Sequence, residues 1–139
     1  CVGMPIPHGK GFKIQIGNLV YKVNSTKQRS VSVIATTDKK VRKVSIPSYI
    51  TYDKVIYKVT KIGDKVFKNK KKLKTVTIGR NIVSIGKKAF YNCKKINKIT
   101  VKTKKLKKVG KQAFKKIKKN AIIKLPAKKK KKYAKFFRK

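Results

Sequence analysis

The sequence predicts a short repeat solenoid, mainly β, in which small units stack to bury one continuous core. Three recurrences predict it. An Ile/Val-Gly pair returns as Ile62-Gly63, Ile85-Gly86 and Val109-Gly110, at spacings of 23 and 24 residues. A small apolar residue followed by Phe keeps the same offsets, as Val66-Phe67, Ala89-Phe90 and Ala113-Phe114. An apolar-x-apolar alternation returns as Val44-x-Ile46, Val76-x-Ile78, Ile99-x-Val101 and Ile123-x-Leu125. Self-similarity at a period of roughly 20–50 residues marks stacked architectures. A unit this small cannot cover its own apolar face, whereas its neighbours in a stack can.

Residues 1–10, CVGMPIPHGK, hold two Pro and two Gly and read as a flexible lead-in. Residues 11–40 do not follow the repeat. FKIQIGNLVYKV (12–23) and RSVSVIAT (29–36) alternate apolar with polar residues, and the first splits at Gly17-Asn18. That pattern predicts an antiparallel β-hairpin cap closing one end of the core. Residues 41–126 carry three units and a partial fourth. Their period-2 pieces predict a parallel ladder of about four short strands. The turn residue after each piece is Pro47, Gly79, Lys102 or Pro126. The first unit is longer by nine residues, TYDKVIYKV (51–59). The Ile-Gly glycines are expected to supply a tight or positive-φ position. A short helical turn should follow each, with Asp64 favouring the first of them at its N-terminus. Residues 127–139 predict a basic C-terminal cap with a short helix. Tyr133, Phe136 and Phe137 fall on one face of it. A basic amphipathic helix lying on a membrane surface is the other reading of that segment.

The stretch LKTVTIGRNIVSIGKKAFYNCKKI (73–96) and its less regular neighbours resemble the BspA-type leucine-rich repeats of bacterial surface proteins. Strand pair, turn, Ile-Gly, Ala-Phe and Cys stand in that family's order. The resemblance covers about residues 41–126. It departs at the insertion, at Val66 in place of Ala, and at Ile117, which stands where the second unit has Cys93. It implies a leucine-rich repeat solenoid in a secreted or cell-surface bacterial protein, with adhesion and interaction as the family's roles.

Charge is the outlier of the composition. The 43 Lys and Arg face 3 Asp and no Glu, for a formal net charge of +40. A small domain usually carries a magnitude of roughly 2–8. Residues 1–60 hold 11 of the basic residues and 61–139 hold 32. All but four (Arg29, Arg42, Arg80, Arg138) are lysine, a hydrated point charge on a flexible stem rather than a planar fork. Such composition favours diffuse attraction to a polyanion over shaped readout. An A- and T-rich coding sequence also enriches Lys, Ile, Asn and Tyr, but it would supply Glu as well.

Repeat alignment turns charge into position. Lys71, Lys94 and Lys118 align, as do Lys72, Lys95 and Lys119, which predicts two basic columns on one edge of the solenoid. The run KTKKLKKVGKQ (102–112), with Lys104, Lys105, Lys107 and Lys108, is expected to extend that patch over the turn, and Lys128 to Lys132 to close it. Together these lysines are the candidate polyanion-binding residues. The outward column of the strand ladder is Ser45, Thr77, Thr100 and Lys124, flanked by Lys43, Thr75, Lys98 and Ile122. That face is the candidate protein-binding surface, or simple β-forming filler. Expected partners are an anionic wall polymer or host glycan, held by counterion release, and a host or self surface protein. Nucleic acid, bound through non-specific phosphate contacts, is the alternative; no nucleic-acid-binding signature accompanies the charge.

Chemistry has little to work with. His8 is the one histidine, and Asp38, Asp53 and Asp64 are the acids. No spacing suits acid–base work, a metal or a phosphate loop, so no enzyme activity, cofactor or small-molecule substrate is expected. Cys93 reads as a core thiol. Cys1, at the first position, has the place of a bacterial lipid-anchor cysteine. No apolar run approaches the ~18 residues of a membrane span.

Overall fold

A computed structural model describes residues 3–137. The chain winds into a β solenoid with two sheets on its sides and a continuous core between them. β1 (Lys13–Ile16), β2 (Leu19–Ser25) and β3 (Ser30–Thr36) form an antiparallel meander, with Gly17 turning the first hairpin at φ +61°. Ile14, Tyr21, Val23, Val31 and Val33 point into the core, as the alternation requires. Lys43, Arg42 and their neighbours then lead into the first coil through β4 (Lys43–Ser45).

The nine extra residues build a hairpin arm. β5 (Tyr49–Tyr52) pairs antiparallel with β6 (Val55–Ile62) across Asp53-Lys54. Both turn residues have positive φ, 49° and 64°, the backbone of a primed two-residue turn. The remaining strands are β7 (Thr75–Ile78), β8 (Ser84–Ile85), β9 (Lys98–Val101), β10 (Lys108–Val109) and β11 (Ile122–Lys124).

The expected ladder is one parallel sheet in the order β11-β9-β7-β4. Its register sets Val44 opposite Val76, Val76 opposite Ile99 and Ile99 opposite Ile123. A second ladder was not anticipated. Ile62, Ile85 and Val109, the residues before the repeated glycines, lie on β6, β8 and β10, which also pair in parallel. β3 joins β6 along its edge, so the N-terminal meander is continuous with this second sheet. Two-residue strands leave too little alternation to be read from sequence.

The repeated glycines act through space rather than through φ, since none of the three has a positive φ. A Cβ on Gly86 would sit 2.5 Å from the Asp64 backbone nitrogen, and one on Gly110 would sit 2.4 Å from that of Lys87. Each glycine lets one coil lie directly against the coil before it. The left-handed residues come later, at Lys65, Lys88 and Gln112, and again at Asn69, Asn92 and Lys116. These segments form successive turns, closed by bonds such as Tyr91 N–H to Lys88 carbonyl at 3.2 Å. A longer helix is precluded because their N–H groups bond the next coil instead. Phe67 donates to Ala89 and Phe90 to Ala113, both at 2.8 Å. Asp64 does likewise. Its Oδ1 accepts from Lys87 N–H at 2.8 Å across the coils, rather than capping its own turn.

A stack of rings runs through the repeat part of the core. Phe67 and Phe90 are 5.0 Å apart, Phe90 and Phe114 5.2 Å, and Phe114 and Phe137 4.9 Å between centroids. The last ring comes from the C-terminal segment, where a single turn of α1 (Lys130–Tyr133) lies between two short 3-10 turns. Tyr133 and Phe137 are buried, and Tyr133 Oη accepts from the Leu106 N–H at 3.0 Å. The aromatic residues that would have entered a membrane surface therefore close the core. No helix among the described residues is long and apolar enough to cross a membrane.

His8 is held in place. Its N–H donates to Tyr57 Oη at 2.9 Å and its carbonyl accepts from Thr26 Oγ1 at 3.0 Å. Its ring stacks on Phe12 at 3.8 Å and its Nε2 meets Asp53 Oδ2 at 2.8 Å. The lead-in is thus pinned to the hairpin arm near its C-terminal end. Cys1 lies outside the described residues.

Candidate functional site

All strands of the four-stranded sheet run the same way, so their starts share one edge and their ends share the other. Lys71, Lys72, Lys94, Lys95, Lys118 and Lys119 precede the strands and are exposed along the first edge. Lys104 and Lys105 follow β9 and lie on the second edge. Lys107 leads into β10 of the other sheet and Lys108 opens it, beyond the buried Leu106. The lysine run 102–108 therefore does not continue the two columns. A four-residue strand, about 13 Å long, separates the edges.

Between these edges is the outer face of the sheet. Register places Ser45, Thr77, Thr100 and Lys124 in one row, and Lys43, Thr75, Lys98 and Ile122 in the row beside it. Toward the strand ends this face deepens into an open groove of about 1520 Å3. Lys98, Thr100, Ile122 and Lys124 form its strand side, and Lys102, Lys104 and Lys105 its far wall. Arg80, Asn81, Ser48 and Tyr49 close it toward the hairpin arm. Pro126, Ala127 and Lys130 close it toward the C-terminal cap.

Seven of these lining residues are cationic and none is acidic. Apolar surface lies among them, with Ile122 65% and Tyr49 53% exposed. The rim is built rather than draped. Asn81 is buried, donates through Nδ2 to the Ser48 carbonyl at 3.0 Å, and accepts through Oδ1 from Lys105 Nζ at 3.1 Å. Arg80 N–H bonds Ser48 Oγ at 3.2 Å. Thr103, fully buried, donates to the Ile82 carbonyl at 2.7 Å and accepts from Lys105 N–H at 3.0 Å. These bonds fix the loop that presents Lys102, Lys104 and Lys105.

The arrangement brings together residues that the sequence assigned to separate surfaces: Lys98, Thr100 and Lys124 of the strand face with Lys104 and Lys105 of the basic run. Arg80 was missed; Lys102 and Lys130 lie in the basic runs 102–112 and 128–132, which the sequence assigned to the lysine edge rather than to this groove. Arg80 stands one residue past the turn, at the place that Thr103 has in the next coil, so no aligned lysine marked it.

Other groups offer little reactivity. No three His, Cys, Asp or Glu side chains cluster among the described residues. Burial pushes the Cys93 thiol up to about 11, against smaller opposing effects from Lys70. Its Sγ donates to the Phe67 carbonyl at 3.0 Å.

Comparison with known proteins agrees with this geometry. The BspA type leucine rich repeat region matches in six copies over residues 44–139. A leucine rich cell surface protein from Faecalibacterium prausnitzii is 29% identical, with a TM-score of 0.69, over 83% of this chain and 30% of that one. A leucine rich repeat protein of T. pallidum is 22% identical, with a TM-score of 0.64, over 78% of this chain and 48% of that one. A leucine-rich repeat protein from Bacteroides ovatus is 21% identical, with a TM-score of 0.62, over 83% and 42%. The last two share the fold. This chain thus spans less than half the length of each of the three. No curated protein matches the sequence. With its two parallel ladders, its Phe stack and a repeat match across most of its length, the chain belongs to the BspA-type leucine-rich repeat family.

Proposed function

We propose that the chain is a non-enzymatic binding module of a bacterial cell surface. It holds an anionic polymer, a wall polymer or a host glycan, across the outer face of the four-stranded sheet. The observation that carries this reading is the groove, with seven cations and no acid among its lining residues. A polyanion entering it releases its counterions, and the cations escape their mutual repulsion. The columns Lys71/Lys94/Lys118 and Lys72/Lys95/Lys119 give the polymer a second basic edge. Exposed Tyr49 and Ile122 add apolar contact that a purely electrostatic patch lacks. The cell-surface protein from Faecalibacterium prausnitzii supports the location.

The test is a salt titration of binding to heparin, polyglycerol phosphate, duplex DNA and an uncharged polysaccharide. The protein and a Lys105→Gln/Lys130→Gln variant are compared. One or both of the first two should stay bound above ~0.15 M salt, and the variant should lose that advantage. If duplex DNA is retained instead, the partner is nucleic acid. If all three anions fall together and the variant behaves like the parent, the groove is not the site.

A further inference from the structure

Tyr91 lies on the turn side of the coil, away from the groove. Three ammonium groups surround its ring. Lys88 Nζ is 5.2 Å from the centroid, Lys116 Nζ 5.5 Å and Lys68 Nζ 5.8 Å. They come from three successive coils, so the stacking of the repeat assembles them. Among the described residues no carboxylate forms an ion pair with these three lysines.

The backbone shows a cost borne at this place. Asn69 and Asn92 occupy equivalent left-handed positions, φ 62° and 61°. Asn tolerates that conformation better than most residues with a Cβ. Asn92 Nδ2 also donates to Asn69 Oδ1 at 2.8 Å, the start of an amide ladder along the solenoid. A third Asn in the next coil would extend the ladder. That position is Lys116, left-handed at φ 65°, and Asn92 Oδ1 is buried with no hydrogen-bond partner. Lys88 is left-handed as well, at φ 54°. Lys88 shares its conformation with Lys65 and Gln112 of the neighbouring coils, whereas Lys116 alone interrupts the ladder. A left-handed lysine that leaves a buried acceptor unpaired is the kind of strain that gathers at sites that bind.

We propose that Lys68, Lys88, Lys116 and Tyr91 form a subsite for one sulfate or phosphate group of the bound polymer. A tetrahedral oxyanion offers enough acceptors to take an N–H from each ammonium, which a planar carboxylate does less well. The Tyr91 ring attracts each of the three ammonium groups by a cation–π contact before the ligand arrives. This subsite rests on the reading that the protein binds an anionic polymer, but not on the groove.

The experiment measures binding of three oligomers to the whole chain at about 0.15 M salt: a sulfated oligosaccharide, a glycerol phosphate oligomer and a carboxylate-only uronate oligomer. The variants are Lys116→Asn, Tyr91→Leu and, as a control, Lys115→Asn. Lys116→Asn restores the residue of the other coils and should melt no lower than the parent, so its losses are not losses of folding. It should weaken the sulfated or the phosphate oligomer about three- to five-fold, and Tyr91→Leu should do the same. Lys115→Asn, with the same charge change one residue away, should cost less than about two-fold. The oligomer affected identifies the source of the oxyanion. Equal losses for Lys115→Asn and Lys116→Asn, or an equal loss on the uronate oligomer, overturn the subsite and leave the groove standing. A parent protein that binds none of the three overturns both.

Discussion

Lys105 Nζ donates to Asn81 Oδ1 at 3.1 Å, across a gap of 24 residues that is one coil of the solenoid. Asn81 is itself tied to the Ser48 carbonyl, so a chain of three residues on three coils sets the rim of the groove. Replacing Asn81 with Leu removes one of the two bonds to the Ser48 carbonyl, which keeps the Val59 N–H at 3.0 Å, and frees Lys105. The expected cost is about 0.5–1.5 kcal/mol of stability by denaturant titration. Polyanion affinity should also drop, though Lys105 keeps its charge. An affinity unchanged in Asn81→Leu would show that the position of Lys105 does not matter.

The glycines make a graded prediction. Gly86→Ala and Gly110→Ala drive a Cβ to 2.5 Å and 2.4 Å from neighbouring backbone, whereas Gly63→Ala meets its nearest atom at 3.2 Å. Thermal melts should show the first two losing about 1–3 kcal/mol or more, and Gly63→Ala clearly less. A flat series would mean that the glycines serve local conformation instead.

The Phe stack predicts where the fold is weakest to truncation. Phe90→Ala removes the middle of the stack and should cost about 3–5 kcal/mol. Ending the chain at Pro126 strips Tyr133 and Phe137 from the core and uncovers Phe114. That truncation should lose cooperative melting or melt much lower. A shortened chain that melts like the parent would return residues 127–139 to the surface.

Cys93 sets a pH dependence. Burial holds its folded pKa at about 11, above the ~8.5 of a free thiol. The stability this lends is complete below the unfolded pKa and is lost as pH rises through the folded one. The stability difference between the parent and Cys93→Ala should therefore shrink from about pH 9 to pH 11. A difference that is constant over that range would show the thiol to be no more buried in the fold than in the unfolded chain.

The register of the four-stranded sheet was legible because its strands repeat an apolar-x-apolar pattern at fixed spacing. Val76 opposite Ile99 follows from the alignment alone. The second ladder was not legible, since β8 and β10 are two residues each. Local sequence favoured helical turns after Gly63, Gly86 and Gly110, but bonds to the next coil took the N–H groups a helix would use. The contact of His8 with Asp53 spans 45 residues and depends on how the hairpin arm folds back, which no local pattern records. The site divided the same way. Individual lysines and the strand-face row were visible in the alignment. Their meeting in one groove depended on which edge of the sheet each loop reaches.

The most direct test of the central claim is a lysine footprint. Acetylation of each lysine is followed by mass spectrometry with and without a bound sulfated glycan, over the whole chain. Lys98, Lys102, Lys104, Lys105, Lys124 and Lys130 should be protected, while Lys13, Lys22 and Lys27 of the N-terminal meander react as before. Protection spread evenly over all lysines, or centred on the meander, would contradict a binding groove on the strand face.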